Sequence, residues 1–130
     1  MLDISNLNPA YRLGRLFAVL EKIQEEASPG LNATIRDRYY GAASSTPVAV
    51  FTTLLRLKNA HLKKLTAGRV TTFEKLLGEV LGPVTDFPKH LPLADQGRFA
   101  LGYYHQRQDF FAKKSDESIT TTASKEGTPA

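Results

Sequence analysis

A helical spacing of apolar residues recurs in five segments, and it limits the fold more than any other feature of the sequence. In the first segment Leu13, Phe17 and Leu20 fall three or four residues apart, so they lie on one face of a helix. The second segment has a weaker stripe than the other four. The spacing predicts helices over residues 9–27, 32–43, 47–65, 72–81 and 93–113.

Polar residues mark where these helices begin. Asn8 suits the start of the first helix, because an Asn side chain accepts hydrogen bonds from unpaired backbone N–H groups. Asn32 is the predicted cap of the second helix, and Thr46 is the predicted cap of the third. Thr71 and Glu74 match a capping box, which predicts the start of the fourth helix.

The arrangement of these segments predicts the fold class. No segment alternates apolar and polar residues as a half-buried strand does. Five helices with short connectors predict an all-α protein, a single helical bundle formed by residues 1–114. Residues 115–130 are rich in Ser, Thr, Lys and Glu, and such a segment buries too little apolar surface to offset its ordering entropy. We therefore expect a disordered C-terminal tail.

Composition narrows the class of protein. The hydrophobic fraction of 42% is enough for a sizeable core. No apolar run reaches the roughly 20 residues needed to cross a bilayer, and the first residues lack the charged and apolar regions of a secretion signal. Because the chain has no cysteine, it has neither disulfides nor thiolate metal sites. We expect a cytoplasmic protein.

Positive charge is concentrated in the middle of the chain. Residues 36–69 contain seven Lys or Arg and one Asp, a net charge of +6, against +4 for the whole chain. Such a concentration is typical of a surface that binds the phosphate backbone of a nucleic acid. The alternative is an ordinary solvated surface, whose charges pair with Glu21, Glu25, Glu26 and Glu74.

The candidate nucleic-acid-binding residues form two groups. The first group lies on the second and third helices and comprises Arg36, Arg38, Arg56, Lys63 and Lys64. The second group forms a basic stripe on the first helix and comprises Arg12, Arg15 and Lys22. Lys and Arg bind phosphates by charge, and Arg also by its forked donors. Tyr39 and Tyr40 either stack on unpaired bases or pack in the core, whereas the position of Tyr103 and Tyr104 within a long helix favours packing.

The sequence shows no constellation of catalytic or metal-binding residues. His61, His90 and His105 fall in three separate segments without the spacing of a metal site. The glycines of residues 97–102 have the spacing of a phosphate loop, but Tyr103 stands where that loop needs Lys. We therefore expect no catalytic residue, no metal and no cofactor, and predict that the chain is not an enzyme.

Three stretches of the chain resemble one known family. They are residues 8–18 (NPAYRLGRLFA), 35–44 (IRDRYYGAAS) and 101–107 (LGYYHQR). In this order and spacing they resemble the C-terminal region of the large subunit of the type I-C CRISPR interference complex, known as Cascade. The resemblance covers residues 8–111. In that family the same region is also made as a separate small subunit, and a chain that begins at Met1 and holds only this region is expected to be that subunit.

The resemblance also implies partners and a position. The family's small subunit is a helical bundle, present in more than one copy, that lies with the large and backbone subunits. It would lie beside the heteroduplex of guide RNA and target DNA and help to hold the displaced DNA strand. Base pairing with the guide supplies the sequence specificity, while the proteins contact backbone and shape. Cleavage belongs to a separately recruited nuclease-helicase, so the family offers no catalytic motif in this region.

Two functions follow from the residues and the resemblance. In the first, the chain stabilises the R-loop through nonspecific contacts to the DNA backbone. In the alternative, the chain is a protein scaffold that bridges other subunits without touching nucleic acid. Charge reversal at Arg56 and Lys63 separates the two, because only the first function predicts weaker DNA binding with assembly intact.

Overall fold

The computed structural model describes the backbone of residues 1–127 and the side chains of residues 1–113. Within this part of the chain it contains five α-helices and no strand, which confirms the predicted all-α bundle. The helices are α1 (Pro9–Ala27), α2 (Ile35–Ser45), α3 (Pro47–Leu62), α4 (Ala67–Leu81) and α5 (Leu93–Gly127). α5 continues past its predicted end at residue 113. The disordered tail predicted for residues 115–130 lies outside the residues whose side chains are described.

The first helix begins where the sequence predicts. The Oδ1 atom of Asn8 accepts hydrogen bonds from the backbone N–H groups of Ala10 and Tyr11, at 2.9 and 3.2 Å. These are two of the N–H groups that the start of a helix leaves unpaired. The start of α1 is therefore fixed, and with it the direction in which each of its side chains enters the bundle.

The caps of α2 and α3 differ from the prediction. Thr34 caps α2 instead of Asn32, because Thr34 and Asp37 form a capping box in which each side chain accepts from the other's backbone N–H. Thr46 precedes α3 as predicted, but its hydroxyl donates back to the carbonyl of Ala42 at 3.0 Å and does not cap α3. The predicted start at Asn32 is therefore too early.

The fourth helix begins well before its predicted start. Thr66 is the cap, and its hydroxyl accepts from the backbone N–H of Arg69 at 3.3 Å. Thr71 lies inside the helix, where its hydroxyl donates to the carbonyl of Ala67 at 3.0 Å. The capping-box pattern at Thr71 is therefore a coincidence of spacing, because the residues before it, including Gly68, are helical too.

α1 forms the centre of the bundle. Every residue from position 10 to position 20 is buried, and α2, α3, α4 and α5 all pack against this helix. The predicted apolar stripe, which includes Leu13 and Phe17, is buried as expected. The other faces of α1 are buried as well, because neighbouring helices cover them. Any charged residue on these faces must find its partners inside the protein.

Two glycines bring the backbones of α1 and α5 into direct contact. A Cβ atom added to Gly14 of α1 would lie 1.9 Å from the carbonyl oxygen of Phe99 on α5. A Cβ atom added to Gly102 of α5 would lie 1.9 Å from the carbonyl oxygen of Tyr11 on α1. Neither position has room for a side chain, so one backbone packs directly on the other. This reciprocal contact fixes the register of α5 along α1.

We expect Gly14→Ala and Gly102→Ala each to destabilise the fold by roughly 2–3 kcal/mol, because the added methyl group forces two backbones apart. Gly97→Ala is the matched control, since nothing lies within 4 Å of a Cβ atom added at this position of α5. Alanine is the better helix former, so the control should gain up to about 1 kcal/mol. Urea unfolding followed by circular dichroism measures all three variants. An unchanged midpoint for Gly14→Ala would contradict the close packing.

Candidate nucleic-acid interface

The tyrosines of α2 and α5 divide between core and surface. Tyr103 is fully buried, and its hydroxyl donates to the carboxylate of Glu21 at 2.8 Å. Burial, followed by the charge and hydrogen bond of Glu21, raises the pKa of the Tyr103 hydroxyl well above its ordinary value, so it stays a donor. Tyr40 packs edge-on against Phe17, with 5.5 Å between the ring centroids. Tyr104, by contrast, exposes 49% of its surface.

Arg36 of α2 reaches across to the aromatic residues of α5. Its Nη2 atom donates to the hydroxyl of Tyr104 at 3.0 Å. Its Cζ atom lies 5.6 Å from the ring centroid of Tyr103 and 5.8 Å from that of Tyr104. The negative face of an aromatic ring attracts a guanidinium at such a distance. The pairing joins α2 to α5 and places the guanidinium beside the exposed Tyr104 ring.

A second pairing of a cation with an aromatic ring lies further along α5. The Cζ atom of Arg107 is 5.6 Å from the ring centroid of Phe111, which exposes 56% of its surface. Arg36 and Arg107 both line a cleft of about 330 Å³ formed by residues of α1, α2, α5 and the loop after α1. The carboxylates that line this cleft are Glu21, Glu25 and Asp37.

Most of the other predicted basic residues are exposed to solvent. Arg38, Arg56 and Lys63 are exposed, and their side chains form no ion pair or hydrogen bond with any residue that the structure describes. Lys64 is exposed as well, and its Nζ atom lies 3.5 Å from Oγ of Ser28, at the limit of a hydrogen bond. These cations are therefore available to a partner.

The basic surface stripe predicted on α1 is wrong for two of its three members. Arg15 is fully buried, and Arg12 exposes 3% of its surface. Arg15 Nη2 lies 2.6 Å from Oε1 of Glu79 on α4, and Arg12 Nη1 lies 2.9 Å from Oε2 of the same carboxylate. Lys22, the third member, is partly buried. Helix α4 covers the face of α1 that carries the two arginines, so neither reaches a nucleic acid.

Arg12 also completes the end of α4. Its Nη1 atom donates to the carbonyls of Glu79 and Val80, at 2.9 and 3.2 Å. A helix leaves the carbonyls of its last turn unpaired, and this guanidinium bonds two of them. Its Nε and Nη2 atoms donate to the carbonyls of Asn6 and Ile4, at 2.9 and 2.8 Å. One buried side chain thus joins the N-terminal segment, α1 and α4.

The structure brings only some of the predicted residues together. α2 packs against both α3 and α5, and among the predicted basic residues Arg36 is the one with a described contact to an aromatic ring of α5. Among the acids predicted as partners of the basic surface, Glu26 pairs with Arg69 at 2.8 Å.

The sequence interpretation missed Arg107 and Phe111 as candidate site residues. Their only sequence signal is the spacing of three and seven residues from Tyr104, which places all three on one side of α5.

The three histidines lie in separate elements: His61 in α3, His90 in the segment before α5, and His105 in α5. Within residues 1–113, no three His, Asp or Glu side chains are grouped so that they could hold a metal ion. Nδ1 of His105 lies 2.8 Å from the hydroxyl of Tyr11, which links α5 to α1. Burial lowers the pKa of His105, and burial followed by the charge of Lys64 lowers the pKa of His61. None of the helices described has the length and apolar character needed to span a membrane.

Comparison with known proteins shows a match to a family model. The family model Cas_Csd1, described as a CRISPR-associated protein, matches residues 1–111. The matched span contains α1 to α4, all the predicted basic residues, and Tyr104, Arg107 and Phe111 of α5. No curated protein matches the chain.

A substitution at Glu79 tests how much the ion pairs of the two buried arginines contribute to stability. The hydrogen bond from Arg15 above all, with Arg12, holds the pKa of Glu79 below its ordinary value of 4.5, while burial opposes this effect. Glu79→Gln removes the one negative charge that is paired with the two buried guanidiniums. We expect a loss of roughly 2–3 kcal/mol at neutral pH, less than for a fully buried pair because the Glu79 side chain is 38% exposed.

The pH dependence of the same variant gives a second readout. Because the folded-state pKa of Glu79 is lowered, its stabilisation is present above about pH 4.5 and is lost as the pH falls through the folded-state value. Glu79→Gln lacks this ionisation, so its stability should fall less on acidification. Glu74→Gln, at an exposed position of the same helix, is the control and should change stability by no more than about 0.5 kcal/mol. Equal urea midpoints for the two variants would contradict the buried network.

Proposed function

The chain belongs to the Cas_Csd1 family of CRISPR-associated proteins, and from this membership we propose that it is the small subunit of a type I-C CRISPR surveillance complex. Its proposed task is to stabilise the R-loop of guide RNA and target DNA through nonspecific contacts to the DNA backbone. Base pairing with the guide supplies the specificity, so such a subunit needs well-placed charge instead of base-reading groups. Its partners would be the large and backbone subunits and further copies of itself.

Exposed cations without acidic partners carry the proposal. Arg38, Arg56 and Lys63 are exposed, and no described carboxylate pairs with them. Elsewhere on the surface such pairs do form, as between Arg69 and Glu26. A cation that is not already neutralised by a carboxylate can displace the counterions of a phosphate, and that release drives backbone binding. The match to a CRISPR-associated family supports DNA, in an R-loop, as the polyanion.

The proposed subunit has no catalytic activity, and it needs neither metal nor cofactor. Glu79 is held by two arginines, Glu21 accepts from Tyr103, and His105 lies against the Tyr11 hydroxyl. These groups connect helices to one another. A general acid or base must instead be placed to exchange a proton with a substrate.

A protein scaffold is the second candidate function, and the N-terminal segment favours it. Ile4 and Leu7 are largely exposed. Nevertheless Arg12 fixes this segment to the bundle through the carbonyls of Ile4 and Asn6. Exposed apolar side chains on a fixed segment suit a protein neighbour better than water. In this alternative the chain bridges other subunits, and its cations face acidic protein surfaces.

Charge reversal at Arg56 of α3 and at Lys63, directly after α3, tests the proposal in the assembled complex. We expect the double variant Arg56→Glu/Lys63→Glu to weaken target-DNA binding roughly tenfold at about 0.1 M salt, because phosphate contacts are replaced by repulsion. The slope of log affinity against log salt should lessen by about 2 for each copy of the subunit that contacts DNA. Filter binding of labelled target DNA to the reconstituted complex, at several salt concentrations, measures both quantities.

Lys75→Glu/Lys89→Glu is the matched control, because it changes the net charge equally at two other exposed positions. This control should leave affinity and salt slope near the wild-type values. If reversal at Arg56 and Lys63 keeps the subunit out of the complex, while assembled complexes bind DNA normally, the scaffold function is favoured. Normal affinity and salt slope in a fully assembled complex would contradict the proposed backbone contacts.

A further inference from the structure

Two aromatic rings on α5 lie in solvent although their neighbours form the core. Tyr104 and Phe111 expose 49% and 56% of their surfaces, whereas Phe99 and Tyr103 on the same helix are fully buried. Tyr104 and Phe111 are seven residues apart, so their Cα atoms lie on one side of α5 about 10 Å apart. Two exposed rings at this spacing are unusual for a surface that only meets water.

Each of these rings is accompanied by a guanidinium. Arg36 bonds the Tyr104 hydroxyl at 3.0 Å, and Arg107 lies 5.6 Å from the centroid of the Phe111 ring. A shallow depression of about 340 Å³ lies between the rings, and its lining residues are Tyr104, Arg107, Gln108 and Phe111. This lining, which we call the α5 aromatic surface, includes no carboxylate.

We propose that the α5 aromatic surface binds an unpaired stretch of single-stranded nucleic acid, with bases stacked on Tyr104 and Phe111 and phosphates beside Arg107. Base stacking on aromatic side chains, combined with a cationic track for the backbone, is how proteins hold single strands without reading sequence. The inference rests on the proposed function, in which a displaced strand lies beside this subunit, and it names the chemistry that holds that strand.

The neighbouring carboxylates decide on which side the backbone runs. Glu21, Glu25 and Asp37 line the adjoining cleft towards α1 and α2 and would repel phosphates there. Glu21 already accepts from Tyr103, and the Asp37 carboxylate is engaged in the cap of α2. The strand therefore runs along the α5 side, where the lining carries Arg107 and no acid.

A protein partner is the competing occupant of this face. Leu101 lies one turn before Tyr104 and is also exposed, so an apolar helix packed along α5 would cover Leu101 as well as the rings. A stacked base requires a ring face, which leucine cannot provide. Leu101→Ala and Tyr104→Leu therefore separate the two occupants. Base stacking is sensitive to the second substitution and tolerates the first.

The test uses the full chain and two short oligonucleotides of equal length. One is oligothymidylate, and the other has the same sugar-phosphate backbone without bases. In NMR titrations up to millimolar oligonucleotide, we expect the ring protons of Tyr104 and Phe111 to shift upfield with oligothymidylate but not with the oligomer that lacks bases. Tyr104→Leu/Phe111→Leu should weaken oligothymidylate binding roughly tenfold for each ring lost. It should leave binding of the baseless oligomer unchanged, and Leu101→Ala should bind both oligomers like the wild type.

Other outcomes overturn the inference without ambiguity. It is overturned if the ring signals stay unshifted at millimolar oligothymidylate, or if Tyr104→Leu/Phe111→Leu binds oligothymidylate as tightly as the wild type. It is also overturned if that variant fails to join the complex while its oligonucleotide binding is normal, because the face then docks a protein. The proposed function fails separately, when Arg56→Glu/Lys63→Glu leaves target-DNA binding by the complex unchanged.

Discussion

The backbone contact between α1 and α5 at Gly14 and Gly102 sets the positions of the groups on both helices. Because neither glycine leaves room for a side chain, α5 cannot slide along α1 without a clash. In the register so fixed, Nε of the buried Arg15 donates to Oε1 of Gln106 at 2.9 Å. The same register leaves Tyr104 at the surface, within hydrogen-bonding reach of α2. The candidate interface is thus positioned by contacts in the core.

The arginines of this chain serve three purposes that their charge alone does not distinguish. Arg12 and Arg15 are desolvated, and burial of a charge is tolerated only with a charged or hydrogen-bonding partner, here Glu79 and backbone carbonyls. Arg36 is held against aromatic rings. Arg56, with the other exposed cations, faces water. The net charge of the sequence is therefore not the charge that a partner meets, since two of the cations are buried and paired with one partly exposed carboxylate.

Helical periodicity predicted the five helices because apolar residues on one face of a helix must be buried wherever the helix lies. Periodicity does not say which helix covers the remaining faces. The burial of Arg15 beneath α4 could therefore not be predicted from it. Capping patterns are only a few residues long and recur by chance, which explains the wrong start at Thr71. The stretches that resemble a CRISPR protein contain Gly14 and Gly102, residues that hold the helices together. They identify the family, but of the exposed cations proposed to contact DNA, namely Arg38, Arg56 and Lys63, they contain only Arg38.

If the exposed basic residues of α2 and α3 bind the DNA backbone, the chain must contribute to the affinity of its complex for DNA. The most direct measurement is the target-DNA affinity of the reconstituted complex, with and without the chain, at two salt concentrations. Omission of the chain should weaken binding and flatten its salt dependence, because fewer counterions are released. Equal affinity and equal salt dependence with and without the chain would contradict a role in binding the DNA backbone and would leave scaffolding as its function.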